Sequence, residues 1–214
     1  MISVSYLSVI KDLESVINKL NNTNCDYIHV DVMDGVFVSN KTMKLDSIKD
    51  ILIKSNKKLD IHFMVKDIKK YVDEYSILNP EYITFHLESS DNIIDDIKYI
   101  TSKGIKCGVS IKPNTSELEL LPYLKDLDVV LVMSVEPGLG GQQFLDSAIP
   151  KINHLRDLRR QYNLDFLIEV DGGINDTNAS ECGVDILVVG NYITSSDDYQ
   201  QRIDNLRNSL DKLK

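Results

Sequence analysis

The chain has 214 residues, of which 43% are hydrophobic, and this is enough to bury one substantial core in a single large domain. Its net charge of −9 argues against a nucleic-acid-binding protein, because such a protein needs a basic face to meet phosphates. A phosphorylated small molecule is compatible with this charge, since a local group of backbone N–H donors can bind an anion.

The three cysteines lie far apart and form no CxxC pair, which excludes a disulfide framework and a cysteine-based zinc site. Residues 1–7 contain no basic segment, and charged Lys11 and Asp12 follow too soon for a signal peptide. No apolar run approaches the length of a membrane span. We therefore expect a cytoplasmic protein that binds neither membranes nor nucleic acids.

Short apolar or alternating segments, typical of strands, take turns with amphipathic segments typical of helices along the whole chain. The predicted strands are 3–7, 27–35, 59–65, 82–86, 106–111, 129–133, 166–171 and 186–189. The predicted helices are 12–20, 47–53, 67–78, one marked by Ile93, Ile94, Ile97 and Ile100, a short one carrying Leu118, Leu121 and Leu124, one carrying Ile152, Leu155 and Leu158, a weak one at 177–182, and 199–213, with Ile203, Leu206, Leu210 and Leu213 on one face.

Eight strands alternating with eight helices predict an α/β fold, a (β/α)8 TIM barrel that forms one domain over residues 1–214. A doubly wound open sheet has a similar alternation but usually carries a glycine-rich turn after its first strand, and this chain has none there. In a TIM barrel the active groups lie at the carboxyl ends of the strands, because the loops that follow the strands form the site.

The predicted strand 27–35 alternates strictly, so its apolar residues face one side while His29, Asp31 and Met33 face the other. An edge strand with its polar face in solvent would explain the pattern equally well. In a barrel, however, His29 and Asp31 would meet His62 from the third strand and Asp171 from the seventh. Two imidazoles and two carboxylates suit one divalent transition metal ion such as zinc, iron, manganese or cobalt.

Several other polar residues near the strand ends have ordinary structural explanations. We predict that His86 and Glu88 orient a metal ligand or cap the barrel rather than bind metal. Asp34 precedes a glycine and is predicted to form a turn. Glu169 would lie deeper in the barrel as part of its structure, and His154 would lie on the surface of a helix.

Glycines follow the sixth, seventh and eighth strands, in the segments 137–142, 171–173 and 189–191. Glycine allows main-chain N–H groups to approach an oxyanion closely. The loops after strands seven and eight are the usual phosphate site of this fold. A single glycine can simply end a strand, but three adjacent loops favour a phosphate-binding site.

Six segments together match the pattern of a known enzyme family. They are HVDVMDG (29–35) with FV (37–38), DIHFMV (60–65), ITFHLE (83–88), IKPNT (111–115), VMSVEPGLGGQ (132–142) and EVDGGI (169–174). By these segments the chain resembles the ribulose-phosphate 3-epimerase family, and the resemblance extends from residue 3 to about the last strand.

The resemblance implies a cytoplasmic isomerase of the pentose phosphate pathway that interconverts D-ribulose 5-phosphate and D-xylulose 5-phosphate. It implies that His29, Asp31, His62 and Asp171 hold one divalent metal ion, and that Asp31 and Asp171 are the catalytic carboxylates. The implied substrate-binding residues are Ser5, His62, Gly138, Leu139, Gly140, Gly141, Gly172, Gly173, Gly190 and Asn191, and the implied pocket-lining residues are Met33, Met64 and Met133.

The implied chemistry agrees with these residue types. To invert a carbon beside a ketone, an enzyme must remove its proton on one face and return one on the other, and two opposed carboxylates can do this if one is ionised and the other protonated. The intermediate is an enediolate, and a bound cation would stabilise it as a Lewis acid. Apolar methionines would lower the local dielectric, and the loop 134–150 would close as a lid.

The chain departs from the common family pattern at Val4, Ser39, Leu139 and Asn191, which touch the predicted lid and phosphate site. These departures leave the phosphate affinity and the preference between pentulose and hexulose phosphates open. The nearest alternative is therefore a D-allulose 6-phosphate 3-epimerase, which shares the fold and the metal set.

Two other classes of protein are less compatible with the sequence. A metal-dependent hydrolase on this fold typically has a His-x-His pair on its first strand, where this chain offers only Ser3 and Ser5. A non-catalytic sugar-phosphate-binding barrel would not need both Asp31 and Asp171. The sequence leaves open which metal is bound and whether the protein forms a homo-oligomer.

Overall fold

The computed structural model describes residues 1–211, and its centre is a closed barrel of eight parallel strands. Each strand pairs with its neighbour in the chain, and the eighth strand pairs with the first to close the ring. The predicted TIM barrel is confirmed. The strands are β1 (Ile2–Ser5), β2 (Tyr27–Met33), β3 (Lys58–Met64), β4 (Tyr82–His86), β5 (Lys106–Ile111), β6 (Val129–Met133), β7 (Leu167–Asp171) and β8 (Ile186–Val189).

Helices surround the barrel, and in the described part of the chain none has both the length and the apolar composition needed to cross a membrane. The α-helices are α1 (Leu13–Asn21), α2 (Leu45–Ile53), α3 (Ile68–Tyr75), α4 (Ile93–Ser102), α5 (Ala148–Gln161), α6 (Ala179–Cys182), α7 (Asn191–Thr194) and α8 (Tyr199–Asp211). Leu213, predicted to lie on the apolar face of the last helix, falls outside the described residues.

Both faces of the strands are buried, as a parallel barrel requires. On β2 the residues Ile28, Val30 and Val32 are at most 1% exposed and belong to the main apolar core, together with apolar residues of the surrounding helices. The alternate residues of β2 and β3 face the barrel interior, where the strand register sets polar residues side by side. The register pairs are His29 with Asp60, Asp31 with His62, and Met33 with Met64.

The predicted helix carrying Leu118, Leu121 and Leu124 is wrong. Two separate 3-10 turns, Glu117–Leu120 and Leu124–Asp126, take its place. Pro122 lies between them and has no N–H to donate to a continuous helix. As a result Leu120 and Leu124 are buried, whereas Leu118 and Leu121 are 48% and 40% exposed.

The predicted first strand, 3–7, also ends too late, because β1 stops at Ser5 and a 3-10 turn begins at Leu7. By contrast, the predicted bounds 82–86, 106–111, 129–133 and 186–189 coincide with the observed strands. These four segments are short and mostly apolar or β-branched, with exceptions such as Lys106 and Ser110, and a glycine or a charged residue flanks each of them on at least one side.

Candidate active site

Four side chains meet at the carboxyl end of the barrel: His29 and Asp31 from β2, His62 from β3 and Asp171 from β7. One nitrogen or carboxylate oxygen of each lies within 4.8 Å of those of the others. The Asp31 Oδ1 atom is 3.5 Å from both His29 Nε2 and His62 Nδ1, and His62 Nδ1 is 3.9 Å from Asp171 Oδ2. The structure therefore brings together the residues that the strand pattern predicted to converge.

This spacing suits one divalent cation. Two ligands that each lie about 2.1 Å from a tetrahedral ion are roughly 3.4 Å apart. The His29 Nε2 and His62 Nδ1 atoms are buried, and neither has a hydrogen-bond partner among the described residues. A buried polar atom without a partner is costly, and a cation between the two imidazoles would satisfy both nitrogens. These four residues could therefore hold a divalent metal ion.

The tautomer of His62 is set by two residues at and beyond the end of β4. His86 Nδ1 lies 3.2 Å from the Glu88 Oε2 atom, and His86 Nε2 lies 2.9 Å from His62 Nε2. Burial lowers the pKa of His86 to about 4, so this imidazole is neutral near pH 7. Its one proton is donated to the carboxylate, and its free nitrogen accepts the proton on His62 Nε2. The lone pair of His62 Nδ1 is therefore left facing the site.

Glu88 is held ionised for this task. Burial alone would raise its pKa, but hydrogen bonds from His86, the Lys112 amide and the Thr115 hydroxyl outweigh burial and bring the pKa to about 2. The arrangement agrees with the prediction that His86 and Glu88 orient a ligand, because neither residue lies among the four converging side chains.

His29 is oriented in the same way by Asp60, its register partner on β3. The Asp60 Oδ2 atom lies 2.7 Å from His29 Nδ1 and accepts a second hydrogen bond of 2.7 Å from the Ser3 hydroxyl. Burial raises the pKa of Asp60, but the neighbouring His29 outweighs burial and lowers it below its usual range. Ionised Asp60 therefore holds the proton of His29 on Nδ1 and turns Nε2 towards Asp31.

The two carboxylates of the site differ in proton affinity. Burial opposes ionisation of Asp31, but the neighbouring imidazoles of His29 and His62 outweigh burial and hold its pKa below the usual range. The Ser5 hydroxyl also donates to Asp31 Oδ2, at 2.8 Å. Burial, followed by the negative charge of Asp31, raises the pKa of Asp171 to about 6. Asp31 is thus ionised at neutral pH, whereas Asp171 gains and loses a proton close to neutral pH.

A third carboxylate, Glu169, lies beneath Asp171 and is fully buried. Its ligand atom lies within 4.8 Å of those of His29 and Asp60, and neither of its oxygens has a hydrogen-bond partner in the described chain. Burial and the negative charge of Asp60 raise the pKa of Glu169 well above its usual value. Glu169 therefore carries a proton, which prevents two adjacent anions in the buried interior.

A cavity of about 380 Å³ opens above these groups. Three methionines, each at most 3% exposed, belong to its apolar lining: Met33, Met64 and Met133. The remaining predicted substrate-binding residues also line the cavity, except for His62, which lies buried beneath it. They are Ser5, Gly138, Leu139, Gly140, Gly141, Gly172, Gly173, Gly190 and Asn191.

The glycines after β7 are required by the loop that follows β6, residues 134–147. Gly172 has a φ of +128°, and a Cβ on it would lie 2.6 Å from the side chain of Val135. Gly173 has a φ of +65°, and a Cβ on it would lie 2.3 Å from the Phe144 nitrogen. No other residue type fits at either position. The predicted lid therefore lies directly against the predicted phosphate loop.

The remaining polar residues near the strand ends lie where they were expected. Asp34 Oδ1 accepts hydrogen bonds from the amides of Val36 and Phe37 and so forms the predicted turn. His154 lies on α5 with its side chain 42% exposed, and its Nδ1 atom is 2.6 Å from the Glu117 carboxylate.

The sequence analysis missed several residues that contribute to the site. Asn175, Tyr192, Ser195 and Arg202 line the cavity, and Asp60 orients His29. Asp60 could have been found, because it lies two residues before His62 and therefore on the same face of the strand. The others lie on loops and helices without a recognisable pattern.

The family model described as the ribulose-phosphate 3 epimerase family matches residues 1–194. The chain belongs to the ribulose-phosphate 3-epimerase family. The resemblance noted in the sequence is confirmed, and so is the prediction of an epimerase, an isomerase that acts on carbohydrates.

Relatives in this family match most of the chain. Ribulose-phosphate 3-epimerase of Helicobacter pylori (strain J99) is 37% identical over 211 residues, which cover 97% of this chain and 94% of the relative. The protein of the same name from Mycobacterium tuberculosis (strain H37Rv) is 38% identical over 176 residues, which cover 81% of this chain and 77% of the relative. That from Escherichia coli (strain K12) is 36% identical over 195 residues, 88% and 85% respectively.

Solved structures with lower sequence identity show the same fold. KGPDC from Streptococcus mutans has a TM-score of 0.72 at 11% identity, covering 99% of this chain and 97% of that one. The 3-hexulose-6-phosphate synthase from Salmonella typhimurium has a TM-score of 0.68 at 15% identity, covering 99% and 98%. At these identities the likeness concerns the barrel alone.

We expect Glu169→Gln to change how stability depends on pH in the chelator-treated protein. The pKa of Glu169 is higher in the folded than in the unfolded chain, so the stability that this group contributes is present at low pH and lost as pH rises through the folded pKa. The glutamine variant lacks this loss. The unfolding free energy of the variant minus that of the wild type should therefore increase with pH, by up to about 1.4 kcal/mol per pH unit above roughly pH 4.3.

Urea denaturation between pH 5 and pH 8 measures this difference. Glu14→Gln, at an exposed position on α1, serves as the matched control and should follow the wild type throughout. Parallel profiles for the wild type and Glu169→Gln would show that Glu169 is ionised in the folded protein.

Proposed function

We propose that this protein is a metal-dependent epimerase that interconverts D-ribulose 5-phosphate and D-xylulose 5-phosphate. The observation that carries the proposal is the pair of carboxylates that meet in one site, buried Asp31 and partly exposed Asp171, whose pKa values are moved in opposite directions. Family membership supports the choice of substrate, because the curated relatives at 36–38% identity are named for this reaction. The reaction belongs to the pentose phosphate pathway.

In the proposed reaction the two carboxylates act on opposite faces of the carbon beside the ketone. Asp31, an anion at neutral pH, removes the proton from one face. Asp171, whose pKa is raised rather than lowered, delivers its proton to the other face. The reverse reaction exchanges these roles. The two residues come from β2 and β7, and His62 lies within 4 Å of a carboxylate oxygen of each.

We propose that His29, Asp31, His62 and Asp171 hold the divalent cation, with zinc, iron, manganese and cobalt all compatible with two nitrogens and two oxygens. When bound, the ion would act as a Lewis acid that stabilises negative charge developing on the substrate oxygens. His86 and Asp60 would keep the lone pairs of the two imidazoles directed at it.

The rest of the cavity would protect and hold the substrate. Met33, Met64 and Met133 present thioether and methylene groups to the reacting carbon, which lowers the local dielectric and strengthens the interactions among charges there. The loop 134–147 would act as the lid that excludes water.

The phosphate would bind at the glycine-containing loops. Gly172 and Gly173 follow β7, and Gly190 and Asn191 follow β8, on the same side of the cavity as the lid glycines. Without side chains, the glycines allow the backbone N–H groups to reach the phosphate oxygens. Ser5 belongs to the substrate side as well, although in this structure its hydroxyl donates to Asp31.

The proposal is tested by an epimerisation assay on the metal-loaded protein with D-ribulose 5-phosphate and D-allulose 6-phosphate in parallel. We expect faster turnover of the pentulose phosphate, loss of activity after chelation and recovery when the divalent ion identified by elemental analysis is added back. Faster turnover of the hexulose phosphate would replace the proposed substrate. Full activity after complete metal removal would contradict the metal-dependent mechanism.

We expect Asp171→Asn to fold normally and to interconvert the two epimers about 10²- to 10⁴-fold more slowly. An amide cannot deliver or accept a proton on its face of the substrate, and general acid–base catalysis typically contributes a factor of this size. NMR measures the interconversion, with the metal content of each variant determined in parallel. Asp165→Asn, an exposed carboxylate just before β7, is the matched control. Near-normal interconversion in metal-loaded Asp171→Asn would rule out the two-carboxylate mechanism.

We expect Asp60→Asn to weaken metal binding although Asp60 does not touch the metal site itself. The neutral amide orients His29 less firmly and makes its imidazole less basic, and such partners typically account for about 10- to 100-fold in metal affinity. Competition with a chelator of known affinity measures the change. Asp73→Asn, a surface carboxylate paired with Lys103, should bind metal like the wild type. Equal affinity in Asp60→Asn would show that Asp60 only fills space.

A further inference from the structure

The cavity has an unbalanced charge for a phosphorylated substrate. Three carboxylates line it: Asp31, Glu136 and Asp171. Within the described chain, Arg202 of α8 is the one lysine or arginine that lines the cavity. A phosphate ester near pH 7 carries close to two negative charges. Backbone N–H groups carry only partial positive charges, whereas the Arg202 guanidinium carries a full one.

Arg202 is also unusual among the arginines of this protein. Its guanidinium makes no hydrogen bond and no ion pair with any residue from 1 to 210, so its donors are unused. The other arginines all have partners: Arg156 with Asn153, Arg159 with Phe166 and Asp185, Arg160 with Asp157, and Arg207 with Asn24 and Asp26.

The unpaired guanidinium is nevertheless held in place. Arg202 is partly buried, and its guanidinium carbon lies 4.7 Å from the centre of the Tyr192 ring. A cation stacked on an aromatic face is attracted by the ring and keeps its edge donors free. Tyr192 belongs to α7, directly after Gly190 and Asn191. The stacking therefore fixes Arg202 at the end of the cavity where the loop after β8 lies.

We propose that Arg202 is a substrate-binding residue that contacts the phosphate group of the substrate, with Tyr192 as the ring that positions it. The proposal rests on the proposed function, because it assigns the charge partner of that phosphate. Two N–H groups on one edge of a guanidinium match two phosphate oxygens, so the contact would select for a phosphorylated ketose over the free sugar.

Arg202→Gln tests the proposal in the metal-loaded enzyme. We expect KM for D-ribulose 5-phosphate to rise about 10- to 100-fold, as for the loss of a charge-assisted hydrogen bond, with kcat within about threefold of the wild type. Competitive inhibition by inorganic phosphate should weaken by a similar factor. Arg202→Lys should recover part of the loss, because it restores the charge without the two-pronged geometry.

Arg160→Gln is the matched control, since it removes the same charge from an exposed arginine whose nearest carboxylate is 3.8 Å away. Its KM should equal that of the wild type. Turnover of unphosphorylated D-ribulose at high concentration should be the same in Arg202→Gln and the wild type. An equal loss with D-ribulose would mean that Arg202 only supports the cavity wall, and this outcome would overturn the proposal.

An unchanged KM together with unchanged phosphate inhibition in Arg202→Gln would also overturn it. If the wild type failed to act on D-ribulose 5-phosphate, the proposed function would fall, and calorimetric titration with inorganic phosphate would still decide the role of Arg202. In that titration, phosphate binding that is tighter in the wild type than in Arg202→Gln supports the proposal, and equal or undetectable binding in both refutes it.

Discussion

The interior of this barrel depends on neutralising charge that is buried away from solvent. Four acidic side chains lie close to His29 inside the barrel: Asp31 from β2, Asp60 from β3, and Glu169 and Asp171 from β7. An isolated buried carboxylate is strongly disfavoured, so each must meet a cation or keep its proton. His29 lies between Asp31 and Asp60, and protonated Glu169 removes the remaining repulsion. The same neutralisation of buried charge therefore sets the pKa values of Asp31 and Asp171 that the proposed mechanism uses.

Two residues outside the four converging side chains orient the two imidazoles of the site. Asp60 fixes the tautomer of His29, and His86 fixes that of His62. In each case the orienting residue comes from the next strand of the barrel. Asp60 is the register partner of His29, whereas His86 lies two residues beyond Thr84, the register partner of His62, and therefore on the same face of β4. A shift of one residue in either strand would turn these side chains out towards the helices.

Strand alternation made much of this site predictable. His29, Asp31, His62 and Asp171 were found because a polar residue on every second position of a buried strand must face the barrel interior. The helices were less predictable. Pro122 interrupts the helix expected to carry Leu118, Leu121 and Leu124, and Leu120 is buried in place of Leu118 and Leu121. The position of Arg202 beside the cavity could not be predicted from the sequence, because the pattern of a surface helix does not distinguish one charged residue from another.

Closure of the barrel joins the two ends of the chain. Every other strand pair links neighbours in sequence, whereas β1 and β8 come from opposite ends of the described chain. Ser5 stands on one side of this seam, and Gly190 on the other, with the Ser5 carbonyl 3.5 Å from where a Cβ of Gly190 would be. Both residues line the cavity. The strand pair with the greatest separation along the chain, and hence the largest entropy cost of loop closure, therefore also forms the part of the cavity wall that contains Ser5 and Gly190.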